Sequence, residues 1–196
     1  MSFASSWLET GTLFPALINE APGPETGIIV VVPAFDEPSI IGMLDSLAKC
    51  RKPSCKTEVI IILNASLNAS PEKLKNNKKA FFEIEAWKRN ISSFFRLYAI
   101  DLGQPAIKGW GVGLARKAGM DEAARRFNSL NKPDGVILNL DADCEVADNY
   151  FISVERELLK RRDRKGCSIY FEHPVSGDEF PGEVYDSVYQ YELHLR

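Results

Sequence analysis

The apolar positions of this chain fall into short β-branched runs separated by longer stretches in which they recur every three or four residues. Ile28 to Val32, Thr57 to Leu63, Phe95 to Ile100, Val136 to Leu140 and Cys167 to Phe171 read as strands. Between them lie helical patterns. One begins near Pro38 and keeps Ile40, Met43, Leu44 and Leu47 on one face, and a Lys-rich one runs from Pro71 to Ile91 with Phe81, Ile84 and Ile91 inward. A third sets Ala115, Gly119 and Ala123 on a small-residue face, and a fourth carries Phe151, Val154 and Leu158. Strands alternating with helices predict an α/β fold, a central, mostly parallel sheet with helices on both faces. Residues 1 to 26, with Pro15, Pro22 and Pro24, read as an irregular arm, and an acidic, aromatic tail follows Phe171. There is no internal repeat and no low-complexity linker.

Composition narrows the picture without changing it. With 196 residues, 45% hydrophobic and 26% charged, the chain can bury a sizeable core as one domain. A net charge of -3, with Lys/Arg clusters interleaved with Glu and apolar residues, excludes a nucleic-acid footprint. The apolar run Ile28 to Val32 is far too short to span a bilayer, and no basic-then-apolar leader opens the chain, so a cytoplasmic protein is expected. The four cysteines show no metal-type spacing and read as free thiols. Three N-x-S sequons, at Asn64, Asn68 and Asn90, would matter only in a secreted protein.

Candidate chemistry gathers where the strands end. In Ile137 to Cys144 an apolar run stops at Asp141-Ala142-Asp143, two carboxylates spaced by one small residue. Hard divalent cations take oxygen ligands, and a strand end at a sheet rim is where diphosphates sit. Asp-rich turns also follow strands for local reasons, so the triplet gains meaning from its company. Parallel strands carry their loops to one edge, which brings Pro33-Ala34-Phe35-Asp36-Glu37, Asn64-Ala65-Ser66 and Lys108 to Gly113 beside Asp141-Ala142-Asp143.

Together these segments resemble the nucleotide-sugar half of a family 2 glycosyltransferase of GT-A fold. That family has a strand ending in Pro-x-Tyr-Asn-Glu, a second ending in Asp-Gly-Ser, a Gly-x-Gly-x-x-x-Ala-Arg-Asn segment, and a strand ending in Asp-x-Asp. Here they stand as Pro33 to Glu37, Asn64 to Ser66, Gly109 to Lys117 and Asp141 to Asp143, with the likeness covering about residues 27 to 173. Beyond the arm over 1–26, the resemblance implies a GT-A-like nucleotide-sugar-binding domain over 27–196, ending before an acceptor half. It implies transfer of a sugar from a nucleoside diphosphate to an acceptor hydroxyl, on a glycan or a lipid-linked molecule, usually with inversion. A UDP-sugar is the favoured donor, and Mg²⁺ or Mn²⁺ the cofactor. By the same resemblance Asp143 holds the metal, with Asp141 at the metal or the ribose. Pro33, Ala34, Phe35, Asp36, Glu37, Asn64 and Ser66 cradle the nucleoside, and Ala142 lies between the carboxylates. Lys108, Gly111, Gly113 and Arg116 flank the phosphates; for Lys108 an exposed loop lysine, and for Arg116 a solvated or ion-paired helix residue, are the competing readings.

Several residues depart from the family pattern. Phe35 keeps a ring but lacks the hydroxyl, Asp36 replaces Asn, and Asn64 stands where an Asp contacts the base, offering donor and acceptor together. Lys117 replaces an Asn that can bear on phosphate or acceptor contacts. An inverting enzyme also needs a general base. By residue type His173, Glu172, Asp178, Glu179, Glu183 and Asp186 qualify, yet none lies in a base motif; His173 is also a candidate third metal ligand, and a strand-end histidine bonded to backbone is the simpler reading of it. A non-catalytic nucleotide-sugar-binding module therefore stays open. So does a sugar-phosphate nucleotidyltransferase, although its glycine-rich loop should follow the first strand, where Pro33 to Glu37 stands. The glycines at 109, 111 and 113 follow the third strand and do not match the dinucleotide-binding fingerprint.

Overall fold

A computed structural model describes residues 2–161, 163–178 and 180–195. The chain divides into two compact units, residues 1–163 and 164–196. In the first unit the elements run α1 (Ser5–Thr10), β1 (Thr26–Ala34), α2 (Ile40–Lys49), β2 (Lys56–Leu63), α3 (Pro71–Asn90), β3 (Phe95–Asp101), α4 (Val112–Ser129), β4 (Val136–Asn139) and α5 (Tyr150–Val154), which continues as a π-helical turn, Glu155–Leu159. The four strands form one parallel sheet in the order β3-β2-β1-β4. The expected α/β architecture is present.

β1 is central and buried along its whole length, so it carries an unbroken apolar run in place of strict alternation. Its odd and even residues nonetheless serve different layers. Ile28, Val30 and Val32 pack with Met43, Leu44 and Leu47 of α2, Ile84 and Trp87 of α3, and Phe151 of α5. Ile29 and Val31 pack with Ala115, Ala123 and Phe127 of α4. Each fully buried side chain of this set contributes about 1.5–3 kcal/mol of transfer free energy. The small face of α4 lets that helix lie close to the sheet: a Cβ on Gly119 would sit 2.4 Å from Val31 Cγ1. The Lys-rich α3 has clear end signals, with Ser70 as N-cap, Pro71 in the first turn, and Lys88 and Arg89 in the last.

Four expectations need correction. The arm is not irregular throughout, because Ser5–Thr10 forms α1, with the Trp7 ring folded against Gly11, where a Cβ would come within 2.6 Å. Ile91 does not face inward; it is the extended residue that caps the end of α3 and is 42% exposed. Cys167 to Phe171 forms no strand, and Ile169, Tyr170 and Phe171 are exposed. Strand propensity is a preference for a pleated, half-buried surface, and the unit of residues 164–196 has no strand among its described residues to supply one. The acidic, aromatic tail instead ends in a helix, α6 (Gly182–Leu195).

Candidate functional site

The loops after all four strands emerge at the carboxyl edge of the sheet. Successive strands step β1, β2, β3 in one direction, and the chain then returns to place β4 on the other side of β1. That reversal makes β1/β4 the topological switch point, where open parallel sheets bind ligands. Pro33 marks the crevice. The β4 ladder reaches only Val31 and ends with Leu140 N donating to Val31 O, so a proline two residues on removes no sheet hydrogen bond.

The loop after β1 is held from α3. Asp36 has a positive φ of 56°, a conformation that Asp tolerates better than most residues. Its backbone N–H donates to Asn77 Oδ1 at 2.8 Å, Asn76 Nδ2 donates to its carboxylate at 2.7 Å, and Lys73 Nζ lies 3.4 Å away. The Asn76 hydrogen bond, with Lys73 beside it, holds the Asp36 carboxyl below its ordinary range, and partial burial opposes this. Lys73 also lies over the exposed Phe35 ring, 5.3 Å from its centroid. Glu37 accepts from Ser39 N at 2.9 Å and so steadies the entry to α2.

Asn64 is 4% exposed. Its side-chain N–H donates to Ala34 O at 3.1 Å, and its own carbonyl accepts from Asn77 Nδ2 at 2.8 Å. Its Oδ1 receives no hydrogen bond among the described residues, so Asn64 presents an acceptor, as an aspartate would. Ser66 is exposed, and its carbonyl accepts from Gln104 Nε2, which ties the loop after β2 to the loop after β3.

Lys108 is exposed and makes no ion pair among the described residues. Gly109 has φ 75°, which favours glycine. Gly111 and Gly113 are different: a Cβ on either would meet nothing within 4 Å, so the fold does not require glycine there. No side chain caps α4 at its N-terminus, leaving first-turn N–H groups directed outward. Arg116, one turn on, donates from Nη2 to Asp141 Oδ1, joining the start of α4 to the turn after β4. Ala142 is buried, anchoring the turn, while Asp141 and Asp143 on either side are exposed. Among the described residues Asp143 meets only the Cys144 thiol, at 3.6 Å, whose ionisation is pushed up by burial and then by Asp143. Thus Arg116 meets Asp141 and Asp36 meets α3, but no hydrogen bond joins the post-β1 loop to the Asp141 turn among the described residues.

No group of three or more His, Cys, Asp or Glu side chains able to hold a metal occurs among the described residues. Mg²⁺ and Mn²⁺ do not need one. They commonly take one or two carboxylates, with substrate phosphates and water filling the remaining positions, and two exposed carboxylates beside an uncapped helix end fit that mode.

Sequence reasoning missed the residues that support the edge. Asn77 falls on the inward stripe of α3 with Ala80, Ile84 and Trp87, and that spacing was the available sign that a polar residue is buried there for its hydrogen bonds. Lys117, which stands in place of the family's Asn, is committed to the arm: its Nζ lies over the Trp7 ring and bonds Gly11 O and both Asp121 oxygens. His173 is corrected, since its N–H and its Nδ1 both meet Glu192 Oε1, a side chain, within the 164–196 unit. Glu179 lies outside the described residues. In the first unit a hollow of about 360 Å³ lies between α2 and residues 145–148, and the second unit has one of about 530 Å³ along α6 beside His173. All four cysteines are free, and no described helix is long and apolar enough to cross a membrane.

No family model matches the chain, and no curated protein matches it. Among solved structures it is similar to TarS 1–349 from S. aureus, at 19% identity and a TM-score of 0.41 over 66% of this chain and 31% of that one. It is likewise similar to TarS 1–349 in complex with UDP-GlcNAc, at 19% identity and a TM-score of 0.40. The chain spans about a third of the length of these structures.

Proposed function

We propose that this chain binds a nucleotide-diphosphate sugar at the β1/β4 edge and is the donor-binding part of a metal-dependent, inverting glycosyltransferase of the family 2 type. The observation that carries the reading is that four strand-end segments lie at the carboxyl edge of one parallel sheet with a switch point, bearing the Asn64 Oδ1 acceptor, a Lys108 without an ion pair among the described residues, and two exposed carboxylates. Asn64 Oδ1 and the Phe35 ring would take the base. An acceptor at that position suits the ring N–H of uracil, thymine or guanine, where cytosine and adenine offer only an exocyclic amine. UDP-sugars are the first donors to test. The uncapped start of α4, Gly111, Gly113 and Lys108 would take the diphosphate, the glycines by letting it approach the backbone.

Mg²⁺ or Mn²⁺ held by Asp143, with Asp141 nearby, would supply charge neutralisation as the diphosphate leaves. The residues themselves orient the donor and keep the diphosphate at the crevice. The acceptor, a glycan or lipid-linked hydroxyl in this reading, loses its proton to a base that none of these edge residues provides.

Calorimetric titration with UDP, GDP and dTDP, each with and without Mn²⁺, tests this. Metal-dependent micromolar binding of one of them is expected, with CDP and ADP weakest. Asp143→Ala should abolish the metal dependence while leaving the melting temperature unchanged, and unchanged UDP affinity and metal dependence in that variant would refute the site. Hydrolysis of the bound donor separates an enzyme from a binding module.

A further inference from the structure

We infer that Arg116 is a latch that makes metal binding at Asp141 conditional on a nucleoside diphosphate; the inference rests on the donor-site reading above. Three observations meet at this residue. Its Nη2 donates to Asp141 Oδ1, and that is the one hydrogen bond its guanidinium makes among the described residues. Its Nε is shielded from water and has no partner, so the resting arrangement leaves a donor unsatisfied. It stands in α4 just beyond Gly111 and Gly113, where a Cβ would meet open space and no side chain caps the helix.

A guanidinium and a divalent cation on one carboxylate compete for the same oxygen lone pairs and repel each other. With Arg116 in place, Asp141 is therefore a poor metal ligand, and Asp143 alone is a weak site. An arriving diphosphate changes the balance, because a fork of N–H donors can bond two phosphate oxygens at once and spend the donors that Asp141 leaves idle. Once the guanidinium turns to phosphate, Asp141 is released toward the metal. The two ligands are then coupled, and the coupling is reciprocal: each raises the affinity for the other by one factor.

The test measures free Mn²⁺ by electron paramagnetic resonance during titration of the 196-residue chain, with and without UDP, in wild type and Arg116→Met. Wild type should bind Mn²⁺ weakly alone and at least about tenfold more tightly with UDP. R116M should bind Mn²⁺ alone about tenfold more tightly than wild type and gain less from UDP. Should R116M fold poorly by circular dichroism, Arg116→Lys replaces it. That variant keeps a positive charge and loses the fork, so it should keep the weak metal binding and lose part of the UDP enhancement. If wild type binds UDP with Mn²⁺ while R116M shows unchanged metal affinity without nucleotide, or R116K keeps the full enhancement, the latch is refuted and the donor site stands. If wild type binds no nucleoside diphosphate, the donor-site reading fails and the latch falls with it.

Discussion

The two ends of α4 hold similar side chains in opposite states. From Lys117 to Arg126 the charges are spent on the fold. Asp121 is 5% exposed and takes bonds from Trp7 Nε1, Leu13 N and Lys117 Nζ, while Glu122 accepts from Leu17 N. Arg125 donates from Nη2 to Phe14 O, and its Nε, which makes no hydrogen bond, is ion-paired with Glu122 at 3.6 Å. Arg126 bonds Glu58 at 2.5 Å, Glu20 O and Tyr98 Oη, with its side chain 3% exposed. At the other end Lys108 is unpaired, the helix is uncapped and Arg116 makes one hydrogen bond among the described residues. A charge that is buried and saturated has been used to build the molecule. A charge at a strand-end edge with idle donors is available to a ligand, and that difference separates Lys117 from Arg116 where the sequence alone sets them side by side.

The comparison breaks most sharply at the buried pair. Arg126→Met leaves Glu58, 1% exposed, without its cation and should cost about 3–5 kcal/mol in urea unfolding. A loss under 1 kcal/mol would mean that the C-terminal end of α4 is no more committed to the fold than the other. Asp121→Ala comes next, at about 1–3 kcal/mol, because it strips partners from Trp7, Leu13 and Lys117 together. It should also free the arm, read as faster proteolytic cleavage within residues 2–25. An arm that stays protected would show that packing of Leu17 and Ile18 on the sheet layer, and not the Asp121 hydrogen bonds, holds it.

The fold was legible where burial dictates periodicity. β2 and β3 were read to within a residue of their ends, and the small face of α4 was plain because only Gly119 lets that helix approach Val31. The edge was legible as segments, since parallel strands must put their loops on one side. What the sequence hid was partnership. Nothing local distinguishes Lys117, committed to an arm more than a hundred residues away, from Arg116, or shows that Asn64 spends its donor on Ala34 and keeps its acceptor. Cys167 to Phe171 misled for the related reason that strand propensity holds only where a neighbouring strand exists.

At the open end of α4 the effects on stability should nearly vanish and those on ligand should appear. Lys108→Ala should change unfolding free energy by less than about 0.5 kcal/mol. It should weaken UDP binding several-fold, and more at low salt, because an exposed ammonium acts on phosphate through a screened field. Equal UDP affinity would return Lys108 to an exposed loop lysine and narrow the contrast to Arg116.

The smallest effect lies at Asp36, across the crevice from α4. Asp36→Asn keeps a residue that accepts positive φ and removes the charge that Asn76 and Lys73 stabilise. Because the folded carboxyl ionises below its ordinary value of 3.8, its contribution is complete above that value and is lost as pH falls through the folded one. The melting-temperature gap between wild type and Asp36→Asn should therefore hold constant from neutral pH down to about 5 and close below about 4. A gap that persists in acid would assign the benefit to the neutral Asn76 and Asn77 hydrogen bonds. Asp36 would then join the saturated residues of the fold, and the post-β1 loop would be a rigid wall of the crevice with Phe35 as its one ligand-facing side chain.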